Sequence, residues 1–455
     1  MDRTIELGTQ SIGKLLWKYS IPGVIAMTVN AFYNVLDRIF IGKFSGETAL
    51  AGLTVAFPFM MLTFAFAGLI ATGGASLIAI RFGEKNHKGS EHVFANVVTA
   101  SFGLGIIIAV LGLLNLSSLL TMFGANEEIM PYAADFMRII LLGTPFQFLS
   151  FSLSFAVRAE GKPKLSMASQ ISSVLVNLVL ALILVAWLRL GVEGAAWSTL
   201  IAQLFGLGVF LPHYLSGKSI LKPGKKEFQP DLKLILKICG VGASSFLGTL
   251  GVSASITFLT TSALKYGGVP AVTSLGVINS LFALFIMPIM GIQQGLQPIV
   301  GYNHGAGNHL RAKKALFIAT GAGMAVATFV FLLLEIFPHF FIGLFIQPNS
   351  ETIPVAVKGL RIFMLMLPVV CVNIMGSGYF QSIAKAGSAI FLGMSRQFLF
   401  LIPAVIILSA VFGLTGTWVS APVADGLSVL VTIAFLQNHF RKVQPSRIMS
   451  RGRSC

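Results

Sequence analysis

The chain has 455 residues, 55% of them hydrophobic and only 11% charged, with a mean hydropathy of +0.85. Soluble domains carry about a quarter charged residues, so this composition excludes a water-soluble globular protein and places the chain in lipid. A formal net charge of +16 raises nucleic acid as a partner, but the position of that charge decides the matter.

In chain order, the polar start Met1 to Gly13 leads into an apolar run too long for a signal-peptide core, with no small-residue cleavage site behind it. No cleavable signal is therefore expected. Apolar runs of roughly 20 residues or more, enough to cross ~30 Å of hydrocarbon as helix, number twelve. They fall near 15–41, 49–80, 93–116, 132–157, 165–187, 194–215, 239–263, 272–300, 315–337, 356–383, 389–411 and 416–436. The expected fold class is an all-α integral membrane protein of twelve transmembrane helices. Lys and Arg crowd the N-terminus, the loops after the even-numbered spans, and the tail, so that 25 of 32 lie on the side of the termini. By the positive-inside rule both termini are expected in the cytoplasm. The basicity is topology, and no nucleic-acid partner is expected. Membrane lipids are, with anionic headgroups against the tail and Lys222, Lys225 and Lys226.

The sequence repeats. Gly83-Glu84-Lys85-Asn86-His87 recurs as Gly305-Ala306-Gly307-Asn308-His309, 222 positions later. Arg138 and Pro145 match Arg361 and Pro368 at an offset of 223, while Gly191, Gly194 and Ser198 match Gly413, Gly416 and Ser420 at 222. The longest basic and polar stretch, with Pro223, Gly224 and Pro230, falls between spans six and seven, where a linker belongs. The expected organisation is an N-lobe over 1–215, a cytoplasmic linker over 216–230, a C-lobe over 231–437 and a basic tail over 438–455. Because six is even, the lobes are expected to be related by a pseudo-two-fold axis along the membrane normal, as in two-lobed carriers. Prolines inside the spans, among them Pro22, Pro58, Pro145, Pro288, Pro298 and Pro368, can kink helices and free carbonyls.

Asp37 is the sharpest single signal, an acid ~28 Å along the helix beyond Lys18 and so in the outer half of the bilayer. An ionisable group there costs at least ~2.5 kcal/mol by insertion scales, and normally faces a cavity that serves as an ion path. Asn30, Tyr33 and Asn34 share its helical face; pairing with Arg38 is the structural alternative. Gln170, Ser173 and Asn177 form a polar face on span five, and Thr199 and Gln203 a pair on span six, which can complete a cavity around Asp37 or glue helices together. Asp425 in span twelve is a second deep acid with no neighbouring base in sequence, matching Gln203 at offset 222.

No HxxxH or HExxH pair lies within a span, so no metal site is expected. No Gly-Lys-Ser or Gly-Lys-Thr phosphate loop is present, which excludes nucleotide hydrolysis in this chain as the energy source. His87 and His309 read as loop-structuring repeat mates. Cys239, Cys371 and Cys455 predict no disulfide framework. With no catalytic constellation and no cofactor, an ion gradient is left as the source of work.

These residues together resemble the multidrug and toxic compound extrusion (MATE) family, in its branch of bacterial multidrug exporters. The resemblance runs from Ile12 to Leu436. It rests on Ser20-Ile21-Pro22, Asn34-Val35-Leu36-Asp37 with Ile41-Gly42, Arg158-Ala159-Glu160-Gly161, Gly194-Ala195-Ala196, and the run GIQQGLQPIVGYNHG from Gly291 to Gly305. It implies two six-helix lobes around a cleft, alternating access, and export of amphipathic, cationic drugs or toxic organic compounds in exchange for protons or sodium, from a bacterial inner (cell) membrane. A monomer is expected. By the same resemblance Asp37 is the coupling acid, Pro22 the hinge where helix one bends, and Asn177 and Thr199 polar members of the N-lobe site. Ala181 stands where relatives often have a second Asp, which disfavours sodium and favours protons. Flippases of lipid-linked precursors and dedicated metabolite or siderophore exporters remain alternatives.

Overall fold

The structure, a computed structural model, describes residues 5–45, 47–123, 125–346 and 352–443; the side chains of 34–51, 54 and 443 lie outside that description. The helices, in chain order, are α1 (Ile5–Thr9), α2 (Ile12–Ser45), α3 (Glu47–Gly83), α4 (His87–Leu114), α5 (Leu116–Met122), α6 (Met130–Ala159), α7 (Pro163–Ala181) and α8 (Gly191–Leu215). They continue with α9 (Leu232–Gly305), α10 (His309–Ile336), α11 (Pro338–Gly343), α12 (Thr352–Phe363), α13 (Leu367–Ser382), α14 (Ala386–Met394) and α15 (Ile402–Val443). Wider π turns extend α7 over Leu182–Trp187 and join α14 to α15 over Ser395–Leu401. No strand occurs among the described residues. Lipid offers no partner to backbone N–H and C=O groups, and helices satisfy them internally.

Among the described residues eight stretches are long and apolar enough to cross a membrane, and a ninth arises if α12 and α13, bent by 49°, form one span. Two of the eight, Leu232–Gly305 and Ala386–Lys442, run 74 and 57 residues, far beyond the ~20 that one crossing needs. Each is interrupted by a glycine outside helical geometry, Gly268 (φ 63°) and Gly413 (φ 58°), and makes two crossings. With α2, whose 34 residues cover ~51 Å at helical rise, the spans are twelve, six to each lobe. The sharp reversals thus come at glycines, while Pro22, Pro58 and Pro145 sit inside unbroken helices. Of the six span prolines named above, Pro368 alone follows a break, the bend between α12 and α13.

The duplication reaches the backbone. Left-handed φ values recur at three pairs of repeat mates, Lys85 (59°) and Gly307 (72°), Gly161 (86°) and Ala384 (55°), and Gly191 (57°) and Gly413 (58°); they occur also at Arg189, Gly217 and Gly268. Asn86 and Asn308 precede the helices that begin with His87 and His309, and Asn86 accepts from the Gly89 N–H at 2.8 Å.

The lobes meet where α2 and α3 lie against α9. A Cβ on Gly83 would stand 2.0 Å from the Tyr302 carbonyl oxygen, and one on Gly305 2.0 Å from that of Ile80. Since Tyr302 is the repeat mate of Ile80 at offset 222, these are one contact seen twice across a pseudo-two-fold axis. Gly242 approaches the Leu69 carbonyl just as closely, and its mate Ser20 lies against Gly295 and accepts no room for a side chain there. All these residues belong to the halves of spans one, two, seven and eight nearest the termini. One buried apolar cluster crosses the junction, including Leu15, Ile78, Ile238 and Ile299. A second cluster, around Phe136, Leu141 and Leu200, lies within the first lobe. On the outer faces apolar side chains are exposed, as Ile107, Leu111 and Leu114 of α4 illustrate, because lipid rather than water is the solvent there.

Candidate functional site

In the first lobe, Asn177 of α7 donates from Nδ2 to Thr199 Oγ1 of α8 at 3.2 Å, and Thr199 in turn donates to the Ala195 carbonyl at 2.9 Å. The two sequence-predicted residues are therefore brought together. Asn177 is buried, and its Oδ1 has no hydrogen-bond partner among the described residues. An unmet buried acceptor of this kind costs about 1–3 kcal/mol, and it is a ready place for a proton-bearing group, a water or a cation to dock. Ala181, one turn further on, is buried as well. Span one lies against α7 and carries half-buried Asn30 and Tyr33. The side chains of Asn34 and Asp37, on the same helix, lie outside the described residues.

The other polar residues expected around that cavity are placed differently. Gln170 donates to Ser154 Oγ at 3.2 Å and Ser166 Oγ at 3.5 Å, which ties it to α6 and to the start of α7. Seven residues separate it from Asn177, two helical turns or ~10 Å, and that distance removes it from the pair. Gln203 faces α6, with Oε1 3.5 Å from where a Cβ of Gly143 would stand.

In the second lobe, Asp425 is 3% exposed and accepts a hydrogen bond from Nε of Arg396. Sequence offered no base near Asp425, because Arg396 is 29 residues away. The π turn over Ser395–Leu401 carries the guanidinium into the lobe, where the Phe282 ring lies 5.9 Å from it. At the matching positions of the first lobe stand Val174 and Gln203, offset by 222. The charge pair belongs to one lobe only.

A third polar set, which sequence reasoning did not assemble, crosses between lobes. Buried Arg158 donates to Gln294 Oε1 of α9, to the Ser154 carbonyl at 2.9 Å and to Ser154 Oγ at 3.1 Å. The Phe155 ring lies 4.2 Å beneath it. Its repeat mate, Gln381, donates to Thr72 Oγ1 at 3.1 Å, and Thr72 is the mate of Gln294 at offset 222. Gln297 adds bonds to the Thr72 carbonyl at 3.0 Å and to Ser76 Oγ at 2.9 Å. Next to Arg158, Glu160 is fully buried between His213 Nε2 at 2.6 Å and Ser219 Oγ at 2.5 Å, while His213 Nδ1 meets Lys162 at 3.1 Å. The second lobe repeats the lysine–histidine contact as Lys385 with His439 at 2.9 Å. The available signal was two opposite charges, Arg158 and Glu160, ending an apolar span.

Among the described residues no three His, Cys, Asp or Glu side chains gather as a metal site. The Asn177–Thr199 pair presents a neutral oxygen acceptor, and hydrogen bonds join the two lobes along a shared seam.

The MatE family model matches the chain twice, over residues 22–183 and 246–407, so each lobe carries one copy. The chain is similar to the multidrug export protein MepA of Staphylococcus haemolyticus (strain JCSC1435), 29% identical over 424 residues that cover 91% of each chain. It is 25% identical to MepA of Staphylococcus aureus (strain MSSA476), over 92% of each. In fold it resembles the solved outward-facing conformation of a multidrug resistance MATE family transporter of the MOP superfamily, with a TM-score of 0.91 and 24% identity over 96% of this chain and 98% of that one.

Proposed function

The chain belongs to the MATE family of multi-pass membrane transporters, and from that premise we propose that it exports amphipathic, cationic organic compounds by alternating access, in exchange for protons. The relatives named for multidrug export support the substrate class. The observation that carries the mechanism is the mirrored seam, where Arg158–Gln294 and Gln381–Thr72 join two lobes of like fold at the terminal ends of their spans. Such a seam consists of a few hydrogen bonds, close backbone contacts and a shared apolar cluster, and it can open as a unit while the helices within each lobe stay packed on one another. With the termini in the cytoplasm of a bacterial cell, the closed seam corresponds to an outward-facing carrier.

Asp37 is the proposed coupling acid, and Pro22 inside α2 is the point about which that helix bends when the carboxyl gains a proton. The carbonyl oxygen of the residue four before a proline loses its usual donor, which makes the helix softer there. The described oxygens beside span one, Asn177 Oδ1 and Thr199 Oγ1, are neutral. A sodium ion needs several oxygen ligands and compensating charge, whereas a proton needs one carboxylate. A flippase of lipid-linked precursors would need available cationic groups in its cleft. Both deep arginines among the described residues are engaged, Arg158 with Gln294 and Arg396 with Asp425.

Dye efflux in inverted membrane vesicles tests this reading, with a proton gradient and a sodium gradient imposed in turn. Export is expected with the proton gradient alone and is expected to vanish in Asp37→Asn at unchanged protein level. Export driven only by sodium, or undiminished in the variant, overturns proton coupling at Asp37.

A further inference from the structure

On the terminal side of the first lobe lies a cavity of about 500 Å³ between α2, the start of α7 and the end of α8. Its lining includes Lys18, Lys162, Lys164, Lys218 and His213. Two carboxylates touch this set: Glu6 pairs with Lys18, and Glu160 is held by His213 and Ser219. Four ammonium groups around one cavity therefore exceed their carboxylates by two. Like charges this close repel one another, and an anion in their midst relieves that repulsion. Lys162 is already oriented, donating to the Lys218 carbonyl at 2.9 Å and meeting His213, so part of the ordering is complete before any ligand arrives.

The position of the cavity narrows the ligand. It sits where spans one, five and six reach the membrane surface, and its wall also includes the apolar Leu165, Val209 and Pro212. Trp17, beside Lys18, is 73% exposed, as befits an indole at the headgroup level. Leu211 and Leu215 of α8 are exposed on the neighbouring face, a lipid-facing strip that leads away from the lysines. Basic pockets between transmembrane helices on the cytoplasmic side are suited to lipid head groups. We propose that this cavity binds the phosphate of an anionic phospholipid, with Lys18, Lys162, Lys164 and Lys218 around the headgroup and the acyl chains along α8. The occupant joins α2 to α7 and α8, so it bears on the one helix that carries both Pro22 and Asp37. This assignment does not depend on which compound the protein exports or on the coupling ion.

The test uses the full chain in phosphatidylcholine nanodiscs with or without phosphatidylglycerol, with native mass spectrometry reading retained lipid. The wild type is expected to retain phosphatidylglycerol over phosphatidylcholine. Lys164→Gln with Lys218→Gln removes two basic groups and is expected to weaken retention about 30-fold, at ~1 kcal/mol for each lysine near the surface. Lys233→Gln with Lys237→Gln removes the same charge from the exposed start of α9, outside the cavity, and is expected to leave retention unchanged. Equal losses in the two variants, or no loss in the first, overturn the site. A parallel arm adds inorganic phosphate to phosphatidylcholine discs and follows thermal unfolding. Stabilisation there that matches phosphatidylglycerol, and that the pocket variant abolishes, overturns the lipid as source in favour of a free phosphate.

Discussion

Gln381 of α13 donates to Thr72 of α3 at 3.1 Å across the two lobes, and the same hydrogen bond appears on the other side of the pseudo-two-fold axis as Arg158 to Gln294. One contact is neutral and the other is charged. The charged member belongs to a guanidinium that is buried, and so has more to lose if it is left unpaired.

Gln381→Ala removes a neutral bond of about 1 kcal/mol and is expected to shift the balance of lobe states roughly fivefold toward an opened seam. Spin labels at Lys88 and Leu310, exposed residues at the starts of α4 and α10, report it. Their distance distribution is expected to broaden to longer values. An unchanged distribution removes Gln381 from the seam.

Gly83→Ala and Gly305→Ala each place a methyl group 2.0 Å from a backbone carbonyl oxygen of the facing lobe. Overpacking of this kind costs about 1–3 kcal/mol, and here only separation of the lobes relieves it. Both variants are expected to insert normally and to lose efflux by similar factors, since the two contacts are mirror mates. A large effect from one and none from the other argues against a symmetric seam.

Asp425→Ala leaves the partly buried Arg396 unpaired, and breaking a buried pair costs about 3–5 kcal/mol, less where one partner reaches solvent. A clear drop in thermal unfolding temperature is expected in detergent. Arg396→Met with Asp425→Leu, which removes both charges, is expected to recover most of it. If Asp425→Ala unfolds like the wild type while efflux falls, the pair works in transport instead of in stability.

Asn177→Leu deletes an acceptor that has no partner among the described residues, so the loss of fold stability is expected to stay within about 1 kcal/mol. Proton-driven efflux is expected to fall much more. Equal losses in melting temperature and transport assign Asn177 to structure alone.

At the linker, Asp231 caps the long helix α9, accepting from the Leu234 N–H at 3.2 Å and facing His92 Nε2 at 3.4 Å. The Leu234 hydrogen bond first, and the His92 side chain second, hold its carboxyl below the usual carboxylate range. A depressed pKa stabilises the folded state above the unfolded value near ~3.9 and is lost as pH falls through the folded one. The protection of the Leu234 amide, its exchange relative to the free-peptide rate at the same pH, is therefore expected to fall only in acid. Loss of that protection already at neutral pH overturns the cap.

Sequence alone determined membrane residence, the duplication, and the position of every span, because those depend on composition, length and a fixed offset. Hydrocarbon thickness sets the run length, and a shared register survives in Gly83/Gly305 and Gly191/Gly413. Asn177 and Thr199 are grouped by resemblance to the MATE family, and the structure places a hydrogen bond between them. What sequence left undecided needed contacts between helices far apart in the chain. Asp425 meets Arg396 only through a π turn that no periodicity announces. Gln170, on the expected polar face, instead bonds to Ser154 and Ser166, because a turn or two along a helix decides which neighbour a side chain can reach. Which partners Thr72, Gln294 and Gln381 take is decided only when the lobes are brought together. Lysines at positions 18, 162, 164 and 218 form one cavity only after three helix ends converge. Local spacing encodes depth and face, whereas which faces meet is decided by the packing of the two lobes.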